Sequence, residues 1–532
     1  MMYYQRIILR QSPALALNQL KPLRAIAQFN IKTEETINDV TQSQEWSQAK
    51  PFTTIPGPTK FQLIRGFLPG GVFHKTSLND FAVLVRQMYG DLALVPGVFG
   101  KKDILMSYNP DDFRTAIRSE GVWPRRRLME TLSYHRSVHR KDDFNDMIGL
   151  LGTNDEAWSK IRSAVNPVLM QPRNARLYLN KMLEVNNEFL QRIREIRDPK
   201  TLEMPETFED EINRLTFESI AVVALNRQIG LIRRDRDNAD AKRLFKVLRN
   251  FFDLVLYLDI NPSIWKVVKT PAFHRMMKNY DEMYDIIIKY INEALERIES
   301  DTSRANVDED EEKSILEKLL KIDKKIAIVM ALDLLMAGVD TTSTTMTGIL
   351  LCLAKNPEKQ EKLRQELRTI LPEKDSLLTL DSMKNLPYLR ACIKEGMRIY
   401  PISLGIMRTN EEEIILSGYQ VEKNQDILLA NNLLLMEDRY IPRAKEFLPE
   451  RWLREEKGNH GTIDPFMYVP FGHGARSCVG RRLVELEIEI TVSRLVRNFN
   501  MEFNYSTEKA FKNHLINVPA IPLKFKMSEV EN

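Results

Sequence analysis

Apolar residues recur three and four positions apart through most of the chain, which is the spacing of one face of an α-helix. The longest stretches of this kind are also rich in Leu, Glu, Lys and Arg, which are good helix formers. We therefore predict long helices over residues 177–196, 209–225, 241–256, 274–300, 322–354 and 357–369.

Strand signals are fewer and shorter. β-Branched and apolar runs predict strands at residues 92–95, 414–421, 426–429 and 521–526. The balance predicts a mainly α protein with a small β region, an α+β fold. A Pro- and Gly-rich stretch, residues 51–71, marks the entry from a leader, residues 1–50, into the folded unit.

The first 33 residues differ in charge from the rest. Their five basic residues all precede the first acidic residue, Glu34, and without them the remaining 72 Lys and Arg nearly match the 73 acidic residues. This balance does not support a nucleic-acid surface. An acid-free leader with interspersed Leu and Ile is typical of a mitochondrial transit peptide, with an ordinary basic tail as the alternative.

The pattern predicts no membrane-spanning segment. The longest apolar window, residues 326–339, contains Asp333 and leads into Asp340, so we interpret it as a buried core helix. Residues 258–268 combine apolar and basic side chains and suit either an interfacial segment or an ordinary loop. Three scattered cysteines exclude a disulfide framework and indicate a reducing compartment.

The most informative cysteine is Cys478. The segment 471–480 reads Phe-Gly-His-Gly-Ala-Arg-Ser-Cys-Val-Gly. Its glycines allow a tight backbone that turns amide N–H groups toward the sulfur, which lowers the thiolate pKa and tunes its donation to a metal. The loop therefore presents either an iron ligand or a buried free cysteine.

Two further motifs carry weaker signals. In residues 337–342, Ala-Gly-Val-Asp-Thr-Thr, a glycine and two threonines can open the helix hydrogen-bond ladder, and Asp340 with Thr341 could relay protons into an apolar pocket. Glu395 and Arg398 lie three apart on a helix, and Arg451 follows in a proline-bounded segment. A buried triad of these residues would brace the cysteine loop.

In this order, the motifs at 337–342, 395–398, 449–452 and 471–480 resemble the cytochrome P-450 family of haem-thiolate monooxygenases. The resemblance extends from about Ile55 to the C-terminus and implies one large domain over residues 51–532. It also implies haem b between a long central helix and the cysteine loop, with O2 as co-substrate.

The resemblance implies roles for individual residues. Cys478 would be the axial ligand, with Phe471 beside the sulfur, and Asp340 and Thr341 would deliver protons. The haem propionates would be held by Trp158, Arg162, Arg408 and Arg476. The triad Glu395, Arg398 and Arg451 would be structural, and His473 would be a packing residue. His135 and His139 have helical metal-ligand spacing but no third ligand motif, so we interpret them as surface residues.

The leader, the Cys-Val-Gly-Arg-Arg run after the ligand and two basic residues near Glu395 resemble the mitochondrial branch, and insect members most. That branch takes electrons from NADPH through a ferredoxin reductase and an adrenodoxin-like 2Fe-2S ferredoxin. The docking patch would comprise Arg390, Lys394, Arg481 and Arg482, unless these are only solvated charges. The expected location is the matrix side of the inner membrane, with peripheral contact.

The regions that would line the distal pocket, residues 123–148, 245–265, 330–342, 402–407 and 514–520, are largely apolar, so a lipophilic substrate is expected. The resemblance favours xenobiotic or insecticide oxidation, and an ecdysteroid or sterol hydroxylase is the nearest alternative. A haem-thiolate isomerase or dehydratase and a non-enzymatic haem-binding protein are alternatives of other classes.

Overall fold

The computed structural model describes residues 40–233, 238–249, 251–300, 313–456 and 461–531. Most of the predicted transit peptide, residues 1–39, lies outside the described residues. The end of the predicted leader is part of the folded unit: the backbone of Lys50 donates to Gly418 at 2.9 Å and accepts from Gln420 at 2.8 Å. The folded unit therefore begins before residue 51.

Helices make up most of the structure, which confirms the predicted mainly α fold. The α-helices span Gln44–Gln48, Lys60–Phe67, Leu78–Tyr89, Pro110–Arg118, Glu130–Tyr134, Lys141–Phe144, Asp155–Leu169, Pro172–Arg176, Leu179–Ile196, Phe208–Ala224, Ala239–Arg249, Phe251–Val255, Pro271–Ser300, Ile315–Ile322, Lys324–Lys355, Pro357–Arg368, Pro387–Ile399, Asn431–Leu434 and Arg481–Asn498. Two single turns, His135–His139 and Leu256–Ile260, are π-helical.

The helix Lys324–Lys355, here called the central helix, runs through the core. Asp323 caps its N-terminus by accepting from the backbone of Lys325 and Ile326. Among the described residues it is the helix long and apolar enough to cross a bilayer, and 72% of its most apolar window is buried inside the protein. That burial identifies it as a core helix, as the sequence predicts.

The strands are short. They are β1 Leu92–Val95, β2 Ile104–Ser107, β3 Ile406–Thr409, β4 Ile414–Leu416, β5 Tyr419–Val421, β6 Asp426–Leu429, β7 Phe499–Glu502, β8 Phe511–Asn513, β9 Asn517–Pro519 and β10 Lys526–Glu529. The largest described sheet has the order β1-β2-β6-β3, with β2 parallel to β6 and β3 antiparallel to it. Arg408 on β3 lies opposite Ile427 in this register, which fixes its position at the sheet edge.

Several predicted elements need correction. The run 521–526 is not a strand, because Pro522 lacks the N–H that a ladder requires, and the observed strand β10 begins at Lys526. The predicted helix 241–256 consists of two described helices, Ala239–Arg249 and Phe251–Val255, before a π-helical turn. A separate helix, Ile315–Ile322, precedes the central helix and starts at a Ser314–Glu317 capping box.

The buried side chains form two apolar clusters, one among the helices and one around the four-stranded sheet. Side chains from both clusters line one cavity of about 760 Å³, including Trp158 and Phe252 from the helical cluster and Phe73 and Met106 from the sheet cluster. A site at the boundary between two packed layers is a common position for a ligand pocket.

Candidate active site

The cysteine loop, residues 471–480, places the Cys478 sulfur in the wall of this cavity. The Cys478 amide donates to the Phe471 carbonyl at 2.8 Å, which closes the loop on itself. Gly474 has φ +70, and a Cβ there would lie 2.4 Å from a Glu120 carboxylate oxygen, so only glycine fits without rearrangement. The helix Arg481–Asn498 starts directly after the loop, so its N-terminal dipole faces the sulfur region.

The surroundings of Cys478 differ from those of the other two cysteines. Burial raises the pKa of the Cys478 thiol, while the Gly480 amide and the nearby Arg162 and Arg481 guanidiniums lower it. Burial also raises the pKa of Cys352 and of Cys392, and neither lines the cavity. Cys478 is therefore the cysteine equipped to hold a thiolate.

Four arginines line the same cavity: Arg126, Arg162, Arg408 and Arg476. Burial and the neighbouring guanidinium of Arg408 lower the pKa of Arg126 to about 10. Burial and the guanidiniums of Arg126, Arg408 and Arg162 lower the pKa of Arg476 to about 9. An anion bound between these guanidiniums would relieve this repulsion.

The unsatisfied donors of this cluster show where the anion belongs. Nε of Arg126, Nε of Arg162 and Nη1 of Arg476 are buried without hydrogen-bond partners among the described residues. The other nitrogens of Arg476 donate to the Pro124 carbonyl at 2.7 Å and the Thr153 carbonyl at 2.9 Å, and its guanidinium lies 4.2 Å from the Trp158 ring centre. A haem fits this lining, because its propionates would supply the missing acceptors and Cys478 would supply a thiolate ligand to the iron.

Two placements refine the sequence expectations for this cluster. Arg408 lines the cavity, but it also forms an ion pair with buried Glu120 and donates to the His473 carbonyl at 3.1 Å, so it anchors the cysteine loop. Arg126 is absent from the sequence prediction. The run of three arginines at 125–127 was the available signal, but Arg125 and Arg127 pair with Asp155 and Asp426, and only the fold separates these roles.

On the central helix, Thr341 lines the cavity and its hydroxyl donates to the Ala337 carbonyl at 2.6 Å. The helix stays continuous from Lys324 to Lys355, so the threonine hydroxyls contact backbone carbonyls, as the sequence predicts, without interrupting the helix. Gly338 serves close packing instead, because a Cβ there would lie 3.1 Å from Ile220. Asp340 is partly exposed and does not line the cavity.

Glu395, Arg398 and Arg451 meet as predicted, in a fully buried network. Arg398 donates to both Glu395 oxygens at 2.8 and 2.9 Å, and Arg451 donates to Oε1 at 2.9 Å. The Trp452 indole donates to Oε2 at 2.8 Å, and its ring centre lies 4.6 Å from that of Tyr468, which lines the cavity. Through Trp452, the network contacts Tyr468, which lies three residues before the cysteine loop begins.

The four basic residues of the predicted docking patch lie in different surroundings. Lys394 is exposed, and Arg481 and Arg482 are half exposed and share Glu485 as an ion-pair partner. Arg390 donates to Glu489 at 2.9 Å and to two backbone carbonyls, so its guanidinium braces the structure. The prediction that His135 is a surface residue is wrong, because its side chain is 2% exposed.

Comparison with known proteins agrees with this geometry. The cytochrome P450 family model matches residues 56–527. Cytochrome P450 CYP12A2 of Musca domestica is 53% identical over 500 residues, which cover 92% of this chain and 93% of that protein. Probable mitochondrial cytochrome P450 12a5 of Drosophila melanogaster is 47% identical over 514 residues, covering 95% of each chain.

The resemblance to insect mitochondrial members is thereby confirmed. Mitochondrial cytochrome P450 12b1 of Drosophila acanthoptera is also similar, at 38% identity over 89% of each chain. The family match also decides against a non-enzymatic haem-binding protein. The chain belongs to the cytochrome P450 family and is a haem-thiolate monooxygenase.

Proposed function

We propose that this protein is a mitochondrial monooxygenase that oxidises lipophilic xenobiotics with electrons from a ferredoxin. The observation that carries this proposal is the mainly apolar cavity of about 760 Å³ that contains both Cys478 and Thr341 in its wall. Haem, when bound, supplies the thiolate-ligated iron that activates O2. The chain supplies the arginine cluster that would hold the haem propionates, the substrate pocket and the residues that would deliver protons.

Two polar side chains of the cavity are already engaged by the chain, which favours a broad lipophilic substrate range. Asn432 donates to the Ser403 carbonyl at 2.8 Å, and Asn513 donates to Asn517 at 3.0 Å. A polyhydroxylated steroid gains specificity from dedicated hydrogen-bond partners in its site. Apolar contact without such partners suits varied lipophilic compounds better.

Turnover with a ferredoxin and its NADPH-dependent reductase, across steroids and lipophilic xenobiotics, tests this function. We expect NADPH-dependent oxidation of several xenobiotics. Turnover confined to an ecdysteroid or sterol would overturn the substrate class. Conversion without NADPH would instead indicate an isomerase or dehydratase.

Arg126 is proposed to hold a haem propionate. Its buried Nε lacks a partner among the described residues, so removing the guanidinium removes a charge-assisted hydrogen bond to the cofactor. We expect Arg126→Gln to release haem about ten times faster, which corresponds to roughly 1.4 kcal/mol. Transfer of haem to apomyoglobin measures the rate. Arg125→Gln is the matched control, and equal rates in the two variants would contradict the assignment.

Thr341 and Asp340 are proposed to deliver protons. The Thr341 hydroxyl lies at the cavity wall and holds its proton toward the Ala337 carbonyl. Thr341→Ala should lower the product formed per NADPH by about tenfold or more, because a positioned proton donor is lost. Thr341→Ser should restore most of the product formed per NADPH, whereas Thr345→Ala, on the same helix face, should change this ratio little. The same ratio in all variants would exclude this role.

Electron entry is proposed at the surface formed by Lys394, Arg481 and Arg482, which adjoins the cysteine loop. The Arg481 guanidinium lies 5.4 Å from the Phe471 ring centre, so this charge is close to the thiolate. We expect Lys394→Gln to slow ferredoxin-driven reduction about tenfold at low salt and to leave substrate binding unchanged. Stopped-flow reduction measures this, with the exposed Lys384→Gln as control. An unaffected rate would refute docking at Lys394.

Peripheral contact with the inner membrane is proposed for the side of the protein where the cavity lining reaches exposed apolar residues. Phe61 on the helix Lys60–Phe67 is 72% exposed and Val267 is 87% exposed. Leu63, two positions after Phe61, and Pro262, five positions before Val267, line the cavity. An apolar rim at the cavity would draw lipophilic substrate from the bilayer. The mitochondrial names of the relatives support the location.

A further inference from the structure

A second cluster of metal-ligating side chains lies away from the haem cavity. Nε2 of His135 is 3.0 Å from Oδ1 of Asp281, and Nε2 of His139 is 3.1 Å from Oδ2. One ligand atom from each of the three residues can be chosen so that all lie within 4.8 Å of one another. A tetrahedral Zn²⁺ with bonds of about 2.0–2.2 Å separates its ligand atoms by roughly 3.3 Å. The observed spacing therefore suits one metal ion.

The local backbone explains why both imidazoles point the same way. His135 and His139 are the first and last residues of a π-helical turn, and their rings stack with centres 5.4 Å apart. Asp281 comes from the helix Pro271–Ser300, which packs against this turn. π-Helical turns inside helices are frequent at functional sites.

The charges around the cluster favour a cation over a purely structural hydrogen-bond network. Three carboxylates at the cluster, those of Asp281, Asp285 and Asp143, all pair with the same cation, Arg140. Arg136, the other nearby cation, pairs with Asp333 at 2.8 Å. Arg140 donates from Nε to Oδ1 of Asp281 at 2.8 Å, which orients the carboxylate and leaves Oδ2 available.

The site is also accessible from solvent. The His139 side chain is 40% exposed and that of Asp281 is 28% exposed, which opens a path from solvent. Nδ1 of His135 has no partner among the described residues, so the affinity should be lower than in sites with a complete outer shell.

The geometry points to a divalent transition-metal site of the Zn²⁺ class, formed by Nε2 of His135, Nε2 of His139 and a carboxylate oxygen of Asp281, with water as the fourth ligand. The metal cross-links the turn His135–His139 to the helix Pro271–Ser300. Arg136 in the same turn donates to the Ile148 carbonyl at 2.7 Å and pairs with the central helix at Asp333, which also accepts from the amide of cavity-lining Leu150 at 2.9 Å. Metal binding thus stiffens one wall of the haem cavity.

Calorimetric titration of chelator-treated, haem-loaded full-length protein with Zn²⁺ tests the site. We expect one saturable site and nitrogen or oxygen scatterers at about 2.0–2.1 Å in zinc-edge X-ray absorption, with the imidazole signature. His139→Ala and Asp281→Asn should each weaken binding at least about tenfold. His274→Ala, an exposed histidine on the same helix as Asp281, is the control. Absence of saturable binding, or unchanged affinity in both ligand variants, would overturn the proposal.

Discussion

Replacing Cys478 with serine is expected to abolish the red-shifted carbon monoxide band of the reduced protein and to reduce turnover to background. The sulfur lies in the cavity wall, where the Gly480 amide and two nearby guanidiniums lower the thiol pKa against the burial that raises it. A serine hydroxyl offers neither the negative charge nor the electron donation of a thiolate. Haem binding itself should weaken but persist, because the arginine cluster is unchanged.

Cys352→Ala provides the matched control for this prediction. Cys352 is buried in the central helix and does not line the cavity. Its replacement should preserve both the band and turnover, at a modest cost in stability from one lost sulfur atom. A normal thiolate band in Cys478→Ser would show that another residue ligates the iron.

Glu395→Gln is expected to produce the largest loss of stability among single substitutions outside the cavity. Glu395, Arg398 and Arg451 are buried at 0%, 0% and 1% side-chain exposure, and the carboxylate is the anionic partner of both guanidiniums. Removing one member of a buried charge network leaves uncompensated charge and costs about 3–5 kcal/mol. Urea unfolding followed by haem absorbance measures the change.

The effect should extend to the cysteine loop. Arg398 also donates to the carbonyls of Leu435 and Ala444, so a displaced guanidinium loosens the segment that leads to Trp452 and Tyr468. Arg398→Lys should be intermediate, because lysine keeps the charge but cannot donate in a planar fork. Glu446→Gln breaks an exposed ion pair with Arg443 and is the control. It should leave the midpoint of urea unfolding unchanged. Equal midpoints for Glu395→Gln and wild type would contradict a bracing role.

Local sequence signals predicted the helices and strands whose formation depends on residues close together in the sequence. The strands Leu92–Val95 and Asp426–Leu429 match their predicted bounds, and the helix Pro357–Arg368 differs by one residue at its end. Proline at the first helical position and β-branched or apolar runs act within a few residues, so no distant contact is needed to interpret them. The strands β2 and β3 escaped prediction, because they are stabilised by pairing with other segments of the chain, β2 with β1 and β6, and β3 with β6.

In the candidate site too, contiguous motifs were predictable from the sequence, whereas contacts between distant residues were not. Cys478 with its glycines, the Glu395–Arg398 pair and the threonines of the central helix are contiguous motifs, so the sequence by itself determined the family, proposed Cys478 as the iron ligand and predicted the buried triad. Only the tertiary structure decided that Arg126 faces the cavity while its two neighbours pair elsewhere, and that Arg390 braces the chain. It also supplied His135 and His139 with Asp281 as a third potential ligand. That carboxylate lies 146 positions after His135, and packing between helices, which no local pattern encodes, brings it within 3.0 Å.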